Sequence, residues 1–186
     1  MDRSICADRQ QTENHAVPKR TREEVAAIYS RQIETVYRVC FSLMGNRPDA
    51  EDAVQGVFLK LMKNNPPFSD KEHEKAWLIT TARNHCRDIH RQWWRRKSAA
   101  LDETAEAIPD AGGETDALME TLLRLPPKFR IVLYLHFYEG YKLSEIASLL
   151  KLNLNTVKTQ LRAAKRQLKI QLGDDWNDES ATEQGV

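Results

Sequence analysis

The chain has 186 residues, 41% of them hydrophobic and 30% charged, with a formal net charge of +1. That is enough for one ordinary domain or two small ones and excludes a fibrous or collagen-like protein. No run of about 18 apolar residues appears and the first 22 residues are polar, which argues against a membrane span or a secretory leader and predicts a cytoplasmic protein. Cys6, Cys40 and Cys86 are odd in number and widely spaced, as suits reduced thiols.

In chain order, residues 1–21 read as a disordered tail. Val25, Ile28, Val36, Cys40 and Leu43 then follow helical spacing up to the stop residues Gly45 and Asn46. A second helix is expected with Asp49 as its cap and Val54, Val57, Phe58 and Leu61 on its buried stripe, ending at Pro66-Pro67. A third helix, about 72–96, repeats Leu78, Ala82, Ile89 and Trp93 on one face and Arg83, Arg87, Arg91 and Arg95 on the next. Trp77 and Trp93 lie near the apolar stripe and are read as core, Trp94 as exposed beside Arg95.

Residues 98–117 carry Asp102, Glu103, Glu106, Asp110, Glu114 and Asp116 with Gly112-Gly113 and read as a flexible acidic linker. A short helix around 118–125, a break at Pro126-Pro127 and a helix from Lys128 to Tyr138 follow. Leu143, Ile146, Ala147 and Leu150 share one helical face, a turn falls at Lys151–Asn153, and a last helix runs from Leu154 to Ile170. That is helix-turn-helix spacing. The fold class is therefore all-α, with domains at 22–97 and 118–172 and an acidic tail at 173–186.

Charge is divided along the chain. Residues 71–97 hold roughly eight basic and three acidic side chains, and residues 118–172 roughly ten and three. On the last helix Val157, Leu161, Ala164 and Leu168 form a packing stripe, while Lys158, Arg162, Lys165 and Lys169 repeat one position later. With Asn153 as cap, Asn155, Thr156, Lys158, Thr159 and Arg162 lie where such helices meet base edges; Lys165, Arg166 and Lys169 suit phosphate. A solvated amphipathic helix is the plainer reading of the same lysines. Cys86 and His90, four apart, offer two metal ligands and no complete site. No cofactor-binding loop or nucleophile motif appears, so no enzymatic activity is expected.

The segments Leu125-Pro126-Pro127-Lys128-Phe129-Arg130, Phe137-Tyr138-Glu139-Gly140-Tyr141, Ser144-Glu145-Ile146-Ala147 and Thr156-Val157-Lys158-Thr159-Gln160-Leu161 closely resemble the C-terminal domain of extracytoplasmic-function sigma factors. Asp49-Ala50-Glu51-Asp52-Ala53-Val54-Gln55, Val57-Phe58-Leu59, Ala76-Trp77-Leu78 and Thr81-Ala82-Arg83-Asn84 resemble that family's first domain. The resemblance implies a subunit that binds core RNA polymerase, directs it to promoters and helps open the DNA.

It also implies residue roles. Asp52, Gln55, Phe58 and Leu59 would dock on a coiled coil of the largest polymerase subunit. Arg83, Asn84, Arg87, Arg91, Trp94 and Arg95 would bind the minus-ten element, with Asn84 in the pocket for a flipped base and 67–75 closing it. The last helix would read the minus-35 element, and an anti-sigma factor would hold the protein inactive. Gly56, Lys142 and Asn155 depart from the family pattern. An operator-binding regulator that works without polymerase, or a protein-binding adaptor, remains an alternative reading.

Overall fold

The computed structural model describes residues 20–100 and 122–172. Among the described residues the fold is all-helical: α1 (Arg22–Met44), α2 (Arg47–Asn64), α3 (Lys71–Ala100), α4 (Pro127–Leu133), a π-helical turn (Tyr134–Tyr138), α5 (Leu143–Leu149) and α6 (Leu154–Leu172). The expected acidic tail and most of the expected linker lie outside these residues. Helix α3 runs on to Ala100, four residues past its expected end.

Local chemistry sets the ends of α1. Thr21 accepts the Glu24 N–H at 3.2 Å while the Glu24 carboxylate accepts the Thr21 N–H at 2.8 Å, a reciprocal capping box. Arg20 bonds the Asn65 side chain through its backbone N–H and its guanidinium, so the last two residues of the expected tail belong to the folded part. Gly45 ends α1 at φ +81°, a left-handed conformation that suits glycine, and its N–H reaches the Phe41 carbonyl.

The cap of α2 is Asn46, not Asp49. Pro48 lies in the first turn, where its missing N–H costs nothing, and the Asn46 side chain accepts the Asp49 N–H at 3.0 Å. Asp49 thus sits inside the first turn, where its charge still suits the helix dipole. Asn65 closes α2 at φ 42°, and the Asp70 carboxylate accepts the His73 N–H at the start of α3.

Helices α1, α2 and α3 pack around Val36, Val39, Cys40, Ala53, Val57, Leu61, Leu78 and Cys86, all buried. Glu74 is buried in α3 and is met by Arg31 at 3.0 Å and Gln32 at 3.0 Å from α1. This polar tie escaped the sequence reading, because nothing in the spacing of a lone glutamate marks it as buried. Trp93 departs from expectation: it is 44% exposed, in a stretch of α3, residues 91–95, that is exposed throughout, and its ring meets the His90 ring edge-on. Trp77 packs half-buried against the core and Phe68, as expected.

In the C-terminal half the helix expected over Lys128–Tyr138 is α-helical only to Leu133 and then widens into the π turn. Gly140 at φ +73° lets the chain reverse, with the Tyr141 N–H on the Leu135 carbonyl. Helix α4 packs on α6, and α5 crosses α6 through the turn at Lys151–Asn153, in which Lys151 takes φ 48°. The two halves also pack against each other through α1, α4 and the π turn, over one continuous hydrophobic cluster.

Candidate nucleic-acid interface

Helix α6 divides cleanly. Val157, Leu161, Ala164 and Leu168 are buried, whereas Asn155, Thr156, Lys158, Thr159, Arg162, Arg166 and Lys169 are exposed. The Asn153 side chain accepts the Asn155 N–H at 2.8 Å, the expected cap, and the Thr159 hydroxyl donates to the Asn155 carbonyl at 2.8 Å. Lys165 is half-buried, its ammonium 5.1 Å from the centre of the Phe137 ring. The expected reading residues thus share a solvent-facing surface at the N-terminal end of a helix anchored by its other face. At Lys142, where a hydroxyl cap is missing, the Glu145 carboxylate takes the Lys142 N–H at 2.7 Å and supplies half of a capping box.

On α3, Arg87, Arg91, Trp94 and Arg95 are exposed, with Trp94 65% exposed, and Arg91 bridges to Asp88 at 3.2 Å. Arg83 and Asn84 are half-buried, and Arg83 Nη1 donates to Asn84 Oδ1 at 3.2 Å. Burial, with Arg87 nearby, lowers the Arg83 pKa from its usual value. The hydrogen bond from Arg83 uses the oxygen of the Asn84 amide and not its N–H donors, the groups that the expected base-reading role would employ.

Behind Asn84, the His85 ring lies against α2. A Cβ on Gly56 would stand 2.0 Å from His85 Nε2, so glycine is what admits the ring. Lys60 Nζ lies 3.0 Å from Nδ1; an ammonium only donates, so Nδ1 accepts and the neutral ring carries its proton on Nε2. Desolvation and the Lys60 charge hold the His85 pKa below its ordinary value, against a smaller opposing effect of Asp88. The departure of Gly56 from the family pattern therefore has a partner in the same chain.

On α2, Asp52, Gln55 and Leu59 are exposed and fall on one face with Met62; Leu59 is 65% and Met62 58% exposed. Phe58 does not join them. It is 6% exposed, packed 4.7 Å from the Tyr29 ring, because its position faces α1 rather than solvent. Met62 was missed in the sequence, where its spacing from Leu59 was the available signal.

Among the described residues no group of three or more His, Cys, Asp or Glu gathers to hold a metal. Cys86 faces Cys40 in the core, and the Cys86 side chain and burial push the Cys40 thiol pKa well up; His90 Nε2 lies 3.3 Å from the Leu43 carbonyl. No helix among the described residues is long and apolar enough to cross a membrane.

A packed helix-turn-helix with a basic exposed face, joined to a three-helix unit with a second cationic helix, defines a helical DNA-binding protein of two parts. Residues 28–97 match the model for sigma-70 region 2, and residues 115–168 that for sigma-70 region 4. The RNA polymerase sigma factor SigV of Bacillus subtilis (strain 168) is 34% identical over 141 residues, covering 73% of this chain and 83% of that protein. The extracytoplasmic-function sigma factor SigW of the same organism is 25% identical over 177 residues, covering 85% and 94%.

The chain belongs to the extracytoplasmic-function group of the sigma-70 family of RNA polymerase sigma factors. Its fold is similar to that of RpoE from Bartonella quintana, solved in complex with the anti-sigma factor NepR (TM-score 0.64, 21% identity, 83% of this chain and 99% of that one). It is also similar to CnrH, solved with the cytosolic domain of CnrY (TM-score 0.55, 21% identity, 84% and 92%).

Proposed function

We propose that this sigma factor uses its two halves as two parts of one promoter reader, working in the cytoplasm with core polymerase and without catalysis of its own. Asp52, Gln55, Leu59 and Met62 on α2 form the polymerase-docking face. Phe58 supports that face from beneath rather than touching the partner, since it is buried. The mixture of exposed apolar and polar side chains suits a half-buried protein interface.

On α3, Asn84 reads an unstacked base of the minus-ten element, and Arg83, Arg87, Arg91 and Arg95 track phosphates. Trp94, exposed at the end of the same row, offers a stacking face for unpaired DNA. On α6, Asn155, Thr156, Lys158, Thr159 and Arg162 face the bases of the minus-35 element, while Lys165, Arg166 and Lys169 contact phosphate. The observation that carries this reading is the clean division of α6, whose N-terminal polar residues are exposed while its apolar stripe is buried. An anti-sigma protein is the natural regulator, as RpoE, a structural neighbour, was solved in complex with an anti-sigma factor.

The test is run-off transcription with core polymerase on a randomised promoter library. Enrichment of sequences with two conserved blocks at fixed spacing is expected, and absence of any core-dependent transcript would refute the function.

A further inference from the structure

Beside α1, α4 and the π turn lies a cavity of about 510 Å³. Phe41 of α1, Leu123, Leu133 of α4, Phe137 of the π turn and Leu168 of α6 form its walls, and the surface it offers is almost wholly apolar. Protein interiors hold few voids much larger than one water, so a hollow of this size has the dimensions of a ligand pocket rather than of a packing defect. None of the residues proposed to meet DNA or polymerase lines it.

Charge distinguishes it from an ordinary apolar hollow. Two guanidinium groups, Arg38 and Arg130, line it, and no carboxylate does. Arg130, 8% exposed, donates from Nε to the Ser42 carbonyl at 2.7 Å and from Nη1 to the Leu123 carbonyl at 2.7 Å, both neutral acceptors. Burial pushes its pKa down to about 10, so the group stays charged at neutral pH. The carbonyl end of α1 offers it a fraction of a negative charge, and among the described residues no carboxylate forms an ion pair with it. A buried cation in that position is left with a charge to be balanced.

Arg38 is the more accessible of the two. Its side chain is 38% exposed, its guanidinium lies 4.2 Å from the centre of the Tyr138 ring, and Nη2 meets Glu34 at 2.5 Å, where the Glu34 side chain is 68% exposed. An ion pair so open to water is weak, which leaves Arg38 able to take a second anion. Other polar groups of the lining are already engaged: the Ser42 hydroxyl donates to the Arg38 carbonyl, and the Tyr134 hydroxyl to Glu139. At about 30 Å³ for a group the size of water, the cavity takes about 17 such groups, which suits a carboxylate on a chain of about 14 to 16 carbons.

We propose that this cavity binds a free long-chain carboxylate, one per protein chain, with the acyl chain between Phe41, Leu133 and Leu168 and the carboxylate held by Arg130 and Arg38. Hydrocarbon supplies the affinity, and the two guanidinium groups select the anion.

The test titrates the full chain by calorimetry with myristate below its micelle concentration, and with tetradecanol and acetate. Myristate should bind at one per chain and, at about a hundredfold excess over its Kd, raise the melting temperature by about 5 °C. Tetradecanol should bind at least about tenfold more weakly and acetate should leave the melting temperature unchanged, since each carries only half of what the site recognises. Arg38→Gln should weaken myristate about tenfold and leave tetradecanol as it was. Leu122→Trp, which enlarges another residue of the lining, should weaken both. Arg130→Gln should behave as Arg38→Gln does; if circular dichroism shows that it has lost helix, Arg38→Gln carries the comparison. Equal affinity for the alcohol and the carboxylate overturns the anion site, and unchanged affinity in Leu122→Trp overturns its place in the cavity. Several myristates per chain with a falling melting temperature would be detergent action and overturns the proposal, as does no binding at all.

Discussion

His85 occupies the space that a side chain on Gly56 would fill: Nε2 stands 2.0 Å from where that Cβ would be. Helix α2, which carries the proposed docking face, and helix α3, which carries Asn84, are thereby brought together at the residue next to the amide proposed to read a base. A glycine inside a helix costs about 1 kcal/mol relative to alanine, so its presence here is offset by what the close approach permits.

Gly56→Ala should therefore destabilise the protein despite the better helix former. Overpacking costs about 1–3 kcal/mol and outweighs the propensity gain. Urea denaturation followed by circular dichroism should show a lower midpoint, and adding His85→Ala should recover stability by clearing the ring. A Gly56→Ala protein more stable than the parent would contradict the packing described.

The same histidine gives a pH dependence. Its folded pKa lies below the ordinary value, chiefly through burial and the Lys60 charge. The unfolded chain, titrating near about 6.5, binds the proton first as pH falls. Stability is thus unaffected above the unfolded pKa, declines as pH falls through it toward the folded value, and then levels. Melting temperatures between pH 7.5 and 5 should fall less steeply in His85→Gln than in the parent.

Docking and packing on α2 should separate by position. Phe58→Ala removes a buried ring and should cost about 3–5 kcal/mol of stability. Leu59→Asp and Met62→Asp alter exposed side chains and should leave the melting temperature nearly unchanged while weakening core binding at least about tenfold. Pull-down of polymerase alongside thermal melts distinguishes the two; parental core affinity in both aspartate variants would remove this face from the docking surface.

On α6 the exposed residues should sort by distance from the N-terminal end. Lys158→Ala and Arg162→Ala should each cost about 1–3 kcal/mol at cognate upstream elements and relax base preference. Arg166→Ala should weaken all sequences alike and lower the salt dependence by about one counterion. Fluorescence anisotropy with holoenzyme over a salt series, on cognate and scrambled duplexes, measures both.

Helix order, the helix-turn-helix and the basic face of α6 were legible in the sequence because each rests on local periodicity. Val157, Leu161, Ala164 and Leu168 repeat at helical spacing, and the cations beside them follow one position later, so one face must pack and the next must face water. The end of α1 at Gly45 and the cap at Asn153 are equally local, set by backbone freedom and a side chain two residues from its target. The family resemblance rests on the same short segments.

Tertiary structure decided what depends on partners far along the chain. Phe58 has a place both on the expected buried stripe of α2 and among the docking residues that the family resemblance implies, and the Tyr29 ring of α1 decides between them: Phe58 is buried while Leu59 faces solvent. Trp93 has core spacing yet is exposed, because every residue of α3 from 91 to 95 faces solvent. Nothing in the spacing of Glu74 or Glu139 marks either as enclosed; that follows from Arg31, Gln32, Lys75 and Thr35, which arrive from other helices. Burial of a charge is set by which cations and donors surround it in space, and sequence spacing carries that information only within a turn or two of helix. The same holds for Gly56, whose role appears only when His85 is laid across it.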